Sequence, residues 1–251
     1  MSGITALIRK EIKEQYRTHR LIIVGAIFVL FGIGTPLLLK FLPEILKLSG
    51  ENLQIIYTPP TAVQSFTEFA GTIGQVGIVV AVLFGMGMVA SELRSGTAVM
   101  TLSKPINRAA FVTAKLIAVS LTFLLALTVA ASCCFLYTIW LIEGASIGTF
   151  VQLYLLLALF LIFCLAITVL FSCLFKNSLA AGGLAITVII SQTMLSGIPV
   201  IGDYLPGKLL GWGTGIVSGL GQSYWWAVGI TVVLIVLSVY VGQYSLKKRE
   251  I

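Results

Sequence analysis

The sequence predicts an all-α integral membrane protein with six transmembrane helices, in one transmembrane domain over residues 1–251. Only 10% of the residues are charged and 58% are hydrophobic, whereas soluble domains carry about 25% charged residues. The apolar residues form six runs near the length of about 20 residues that a bilayer core requires. The basic residues lie in short clusters between these runs, a pattern that sets membrane orientation. The net charge of +7 therefore indicates topology and no nucleic-acid partner.

Residues 1–20 predict an amphipathic helix in the membrane interface. Ile4, Ile8, Ile12 and Tyr16 recur every four residues with Leu7 beside them, and charged side chains fill the opposite face. An apolar stripe of this kind favours a helix that lies on the bilayer surface. An ordinary solvated helix next to the first span is the alternative.

Proline and glycine predict where the first span ends. We expect Gly32, Gly34 and Pro36 to weaken its end near residue 39. A separate short helix is then predicted within residues 43–54. An extended stretch follows around Pro59 and Pro60, because a residue before proline avoids the helical region.

Glycines also mark two later parts of the chain. Gly71, Gly74 and Gly77 share one face of the second span, and small faces let helices pack closely in lipid. The glycine-rich residues 201–222 predict re-entrant or broken helices before the last span, which protein must bury. The predicted spans cover about 21–39, 70–91, 111–142, 149–175, 179–200 and 224–245.

The basic residues predict that both termini are cytoplasmic. Six spans place the termini on one side, and only Lys40, Lys47 and Lys208 of the 16 lysines and arginines then lie outside. This distribution follows the positive-inside rule. Trp140, Trp225 and Trp226 fall at the outer interface, where aromatic belts form.

The spans lack the side chains that most membrane catalysis requires. We place Lys115 beyond the hydrocarbon end of the long third span, so that no span interior holds an ionisable residue. Proton relays need such groups. His19, the one histidine, precedes the first span, which argues against a metalloenzyme. We therefore predict no catalytic, metal or cofactor-binding residue in this chain.

One near-motif resembles a phosphate-binding loop. Residues 202–209, GDYLPGKL, match G-x-x-x-x-G-K but place Leu209 where the motif needs Ser or Thr. A phosphate loop also needs a preceding strand, and this segment is predicted on the outer side, away from cytoplasmic ATP. The match is therefore interpreted as chance.

Polar side chains within the spans are candidates for a substrate path. Interhelical hydrogen bonding is the alternative role for each of them. The candidates are Gln75, Thr128, Ser132, Thr168, Ser172 and Gln192.

Residues 92–110, which we call the coupling segment, predict a cytoplasmic surface for a partner protein. Pro105 keeps Lys104 extended, and Asn107 can cap the helix that becomes the third span. Apolar side chains between these points suggest a partner pocket, and basic ones add charge complementarity. A connecting loop that only sets topology is the alternative. The candidate residues are Glu92, Arg94, Gly96, Thr97, Val99, Met100, Leu102, Ser103, Lys104, Pro105 and Arg108.

This segment resembles the permease subunits of ABC transporters of the ABC-2 type. In that family a Glu ends the second span, a Gly-Thr pair follows, and L-[ST]-x-P-[IV]-x-R leads into the third span. The matching residues here are Glu92, Gly96-Thr97, the stretch LSKPINR at 102–108, and Lys115. The layout of the whole chain agrees with the family as well.

The resemblance implies a subunit of an ATP-driven exporter in the cell membrane. It implies two cytoplasmic ABC ATPase subunits, which bind ATP and Mg, and a second permease subunit. We expect a homodimer rather than a heterodimer, and an amphipathic or hydrophobic substrate. Two alternatives remain open: a membrane-embedded ligand-binding or assembly component that does not pump, and a channel that scrambles lipids.

Overall fold

The computed structural model describes residues 2–48, 59–96, 108–142 and 144–248, excluding the side chains of residues 2, 3, 45–48 and 108. These residues form nine α-helices and one 3₁₀ turn at Gly202–Tyr204, without a strand. The α-helices are α1 Ser2–Arg17, α2 Arg20–Leu48, α3 Ala62–Gly85, α4 Ala90–Ser95, α5 Arg108–Leu141, α6 Ile147–Leu174, α7 Ser178–Leu195, α8 Lys208–Val217 and α9 Trp225–Lys248.

Six segments of the described chain are long and apolar enough to cross a membrane, which confirms the predicted number. For most of the helix ends, the observed and predicted bounds differ by a few residues. The difference is larger for the second span. These segments are Arg20–Glu44, Ala62–Ser95, Ala109–Leu141, Ile147–Leu174, Ser178–Leu195 and Trp225–Lys248.

The predicted end of the first span is wrong. Helix α2 continues through Pro36 and Pro43 to Leu48, so no separate helix begins near residue 43. A proline removes one backbone hydrogen bond, but in lipid the remaining backbone groups are satisfied best by continuing the helix. Gly32 is a packing position, because a Cβ there would lie 2.5 Å from the carbonyl oxygen of Ala130 on α5.

The extended stretch predicted after Pro59 and Pro60 is shorter than expected. Helix α3 begins at Ala62, where the side chain of Thr61 accepts a hydrogen bond of 3.2 Å from the backbone N–H of Gln64. Phe66 then packs on Phe150 of α6, with 4.4 Å between ring centroids. Capping and aromatic packing together explain why the helix forms directly after the prolines.

Helix α6 lies at the centre of the bundle and packs against α3, α5, α7, α8 and α9. The glycines of α3 allow close approach to it. A Cβ at Gly77 would lie 2.6 Å from Leu161, and one at Gly74 would lie 3.2 Å from Leu210 of α8. Gly71 faces open space, so two of the three predicted glycines are at packing positions.

The glycine-rich region before the last span forms broken helices. The 3₁₀ turn and α8 are joined by short links, and α8 packs on α6 and α3. Leu209 and Trp212 of α8 are buried. Protein contacts therefore cover part of a backbone too interrupted to cross the membrane by itself.

Candidate functional site

A buried ion cluster joins three helices at the two ends of the coupling segment. The Lys115 Nζ lies 3.0 Å from Glu11 Oε2 and 2.7 Å from Glu92 Oε1. These residues belong to α5, α1 and α4 respectively. The Lys115 side chain is 2% exposed, and those of Glu11 and Glu92 are 4% and 18% exposed.

The sequence around Lys115 explains how a lysine reaches this position. Lys115 lies seven residues after Arg108, where α5 begins, or about 10 Å along the helix. Its Nζ lies 5.0 Å from the ring centroid of Phe111, one turn earlier. The aliphatic stem packs in the bundle while the ammonium meets two carboxylates and an aromatic face.

Helix α1 presents a buried stripe of one apolar and two polar residues to the bundle. Leu7, Glu11 and Gln15 recur at intervals of four residues, and all three are buried. The Gln15 Oε1 accepts a hydrogen bond of 2.5 Å from the hydroxyl of Thr122, two turns beyond Lys115 on α5. Two polar contacts therefore fix α1 against α5.

The predicted apolar face of α1 has a different position from the face that packs on the protein. Ile4 and Tyr16 are exposed, while Ile8 and Ile12 are half-buried. This stripe is free to contact a bilayer, as an interface helix requires. The sequence reasoning overlooked Glu11 and Gln15, whose spacing of four residues beside Leu7 was the available signal.

Ser172 of α6 anchors the break between α3 and α4. Its Oγ accepts hydrogen bonds of 3.0 Å from the backbone N–H groups of Val89 and Ala90, and donates one of 2.9 Å to the carbonyl of Met86. The unpaired backbone groups at a helix break need such partners. Ser172 thereby sets the direction in which α4 carries Glu92.

The cluster holds its charges in a setting with little water. Glu11 Oε1 and Glu92 Oε2 have no hydrogen-bond partner among the described residues, although Lys10 Nζ lies 3.7 Å from Glu11 Oε1. Removing one partner of a buried ion pair costs about 3–5 kcal/mol, since a charge is left uncompensated. Lys115 therefore ties α1 and α4 to α5.

The apolar segments carry ionisable residues near their ends. The second segment, Ala62–Ser95, extends beyond its predicted bounds and includes Glu68, Glu92 and Arg94, and the third includes Lys115. The prediction that no span interior holds an ionisable residue stays a prediction, and the pairing of Lys115 with Glu92 at 2.7 Å is a contact that composition alone could not reveal.

The structure describes only part of the predicted coupling residues. Glu92 belongs to the ion cluster, Arg94 is exposed, and Gly96 ends α4 with a φ of 72°, a conformation that suits glycine. The backbone of Arg108 begins α5. The remaining predicted residues, which lie outside the described ones, are Thr97, Val99, Met100, Leu102, Ser103, Lys104 and Pro105.

The six predicted path residues occupy separate places. Thr168 donates a hydrogen bond of 2.7 Å to the carbonyl of Cys164 and is buried with Ser172 on α6. Thr128 shares a bond of 2.8 Å with the Tyr154 hydroxyl at the surface. The other predicted residues are Gln75 and Ser132, both exposed, and Gln192, which accepts a bond of 2.9 Å from the Gly207 N–H.

Two adjoining cavities lie beside α8. One is mostly apolar, has a volume of about 590 Å³ and is lined by α6, α8, the start of α9 and the link between α8 and α9. The other has a volume of about 370 Å³, lies between the end of α7, α8 and the same link, and includes Lys208 and Tyr224. None of the six predicted path residues lines either cavity.

The segment that resembles a phosphate loop has no such geometry. Gly202–Tyr204 forms a 3₁₀ turn and follows α7, where the motif requires a strand. The Lys208 Nζ instead lies 2.8 Å from Asp203 Oδ1 and 4.6 Å from the ring centroid of Tyr224. The hydrogen bond that Lys208 donates to the Asp203 carboxylate raises the pKa of Lys208 above its ordinary value, so this lysine stays charged.

Comparisons with known proteins agree with the helical architecture. The family model described as "ABC-2 family transporter protein" matches residues 5–251. The chain is also 22% identical over 214 residues to the "Uncharacterized transmembrane protein YxlG" of Bacillus subtilis (strain 168), covering 83% of each chain.

Proposed function

Because the chain belongs to the ABC-2 family of transporter proteins, we propose that it is the permease subunit of an ATP-driven exporter. Separate cytoplasmic ATPase subunits bind ATP and Mg, and this chain hydrolyses no ATP itself. Two permease subunits, preferably identical, pair above two ATPase subunits in the plasma membrane. The ion cluster of Glu11, Lys115 and Glu92 is the observation on which the proposal rests.

The position of the cluster supports a role in transmitting movement. Residues 97–107 of the coupling segment lie between α4 and α5 in the chain. Glu92 and Lys115, which flank these residues, are joined to each other and to α1. A displacement of the segment by a partner would therefore move the second span, the third span and the interface helix together.

The distribution of charge supports a cytoplasmic location for this assembly. Arg9, Lys10, Lys13 and Arg17 lie on α1, and Lys247 and Lys248 end α9. The positive-inside rule places this end of the bundle in the cytoplasm, where ATPase subunits operate. Trp140, Trp225 and Trp226 are exposed at the opposite end, as expected for aromatic residues at the outer interface.

The apolar spans favour an amphipathic or hydrophobic substrate. A central charge costs about 2.5–3.5 kcal/mol on insertion scales, and the ionisable residues of the cluster are occupied by one another. Lipids, peptides and drug-like amphiphiles are the substrate classes that this setting accommodates.

Purification of the tagged chain from its own membranes tests the proposal. We expect an ABC ATPase to co-purify, and Val99→Asp/Leu102→Asp to reduce its recovery at least about tenfold, because each apolar side chain in a partner pocket contributes about 1.5–3 kcal/mol. The matched control Val99→Ile/Leu102→Met should retain the ATPase. Recovery of the charged variant with an ATPase at the unaltered yield would contradict the coupling role. Absence of any ATPase would favour a component that does not pump.

A further inference from the structure

The two cavities beside α8 adjoin each other as an apolar and a polar part of one site. Trp212, Leu220 and Gln222 line both cavities. The apolar part has about 590 Å³, within the range of about 300–1,000 Å³ that small-molecule sites occupy. A ligand that fits both parts must carry a long apolar portion and a polar end.

The apolar part extends along α6 within one leaflet of a bilayer. The α6 residues that line it run from Gln152 to Leu159, which is about 10 Å along the helix. Half of a hydrocarbon core is about 15 Å. An acyl chain in this part is therefore covered by α6 over about two thirds of the leaflet.

The polar part lies at the membrane end where a lipid headgroup would be. Lys208 is in the region between the fifth and sixth spans, outside both. The exposed Trp225 lines the apolar cavity, and tryptophan is enriched at the level of headgroups. The site therefore opens at the interface.

The charges at the polar part match a zwitterion. Lys208 lines this part, and its Nζ lies 2.8 Å from Oδ1 of Asp203, which is outside the lining; the two side chains are 24% and 41% exposed. A phosphate can approach the Lys208 ammonium, while a primary amine of the same headgroup can donate to Asp203. A purely anionic headgroup would satisfy Lys208 but be repelled by Asp203.

We propose that these adjoining cavities bind one zwitterionic aminophospholipid from the surrounding leaflet, with one acyl chain along α6 and its headgroup beside the Lys208–Asp203 ion pair. The bound lipid fills the groove between α8 and α9. The site is separate from the predicted substrate-path residues, and its occupancy depends neither on ATP nor on an ATPase partner.

Native mass spectrometry of the purified chain tests this site. The probes are phosphatidylethanolamine and phosphatidylglycerol with identical acyl chains, added in equal amounts. We expect phosphatidylethanolamine to be enriched by about fivefold in the complex with one lipid, because only its amine adds a screened ion pair, with Asp203. Equal occupancy by the two lipids would overturn the proposal.

Three variants separate the parts of the site. Asp203→Asn should abolish the preference for phosphatidylethanolamine, and Asp203→Glu should restore it. Leu155→Trp fills the groove and should lower binding of both lipids while leaving the ion pair intact. Lys40→Gln removes an exposed lysine at the same end of the bundle and should change nothing. An unchanged preference for phosphatidylethanolamine in Asp203→Asn would contradict the assignment. A loss of that preference in Lys40→Gln as large as in Asp203→Asn would contradict it as well.

Discussion

Replacing Lys115 by methionine should destabilise the protein strongly, because it leaves two buried carboxylates without their shared cation. Both Glu11 and Glu92 approach the Lys115 Nζ within 3.0 Å. Breaking a buried ion pair from one side costs about 3–5 kcal/mol. The exposure of Glu92, at 18%, places the expected loss near the lower bound.

The measurement is thermal unfolding of the purified chain in one detergent. A loss of about 3 kcal/mol corresponds to a decrease in Tm of roughly 6–12 °C for a chain of this size. Glu92→Gln is the graded comparison, since an amide keeps hydrogen bonding to Lys115 and leaves Glu11 in place. We expect the decrease in Tm for Glu92→Gln to be less than half of the decrease for Lys115→Met.

A triple variant distinguishes stability from coupling. Glu11→Leu/Glu92→Leu/Lys115→Met replaces all three charges by apolar groups of similar volume, which is often neutral or stabilising. We expect its Tm to return near the value of the unaltered protein. We expect substrate-stimulated ATP turnover of the assembled transporter to be lower than with the unaltered protein. A Tm for Lys115→Met within about 1 °C of the unaltered protein would refute the reasoning, because breaking a buried pair from one side costs about 3–5 kcal/mol.

Four further predictions address topology, packing and substrate. Single cysteines in intact cells should react with an impermeant reagent at positions 50 and 208 but not at 5, 104 and 249; labelling at 104 from outside would overturn the orientation. Gly32→Ala should destabilise by about 1–3 kcal/mol, because its Cβ would lie 2.5 Å from the backbone carbonyl oxygen of Ala130, whereas Gly34→Ala, with open space, serves as the control in the same unfolding assay. Ser172→Ala should cost about 1–3 kcal/mol by leaving buried N–H groups unpaired, whereas the exposed Ser132→Ala should stay within about 0.5 kcal/mol. Amphiphiles should stimulate the ATPase of the assembled transporter, and stimulation by a small inorganic ion alone would count against an apolar path.

Local sequence features predicted the number of spans well and their ends less well. Apolar runs are a property of neighbouring residues, so the six crossings followed directly from the lipid environment. Pro36 misled the prediction, because the requirement to satisfy backbone groups in lipid outweighed the loss of one hydrogen bond. Thr61 was a recognisable cap that could have corrected the start of α3.

The ion cluster could be predicted only in part. The family resemblance identified Glu92 and Lys115, which are 23 residues apart in the chain. Glu11 is 104 residues from Lys115, and only the packing of α1 against α5 brings them together. Its helical stripe with Leu7 and Gln15 indicated a second buried face, but no local rule named the partner.

The central claim is that α1, α4 and α5 move as one unit when the ATPase partner displaces the coupling segment. Gln15 and Thr122 are in direct contact, so cysteines at these positions can be joined by a short cross-linker after the four native cysteines are replaced. The decisive measurement is substrate-stimulated ATP turnover of the assembled transporter before and after cross-linking Gln15→Cys/Thr122→Cys. We expect turnover to persist after the cross-link forms, because the two helices need not separate. Loss of turnover on cross-linking, restored by cleaving the linker, would show that α1 and α5 separate during the cycle and would contradict the account.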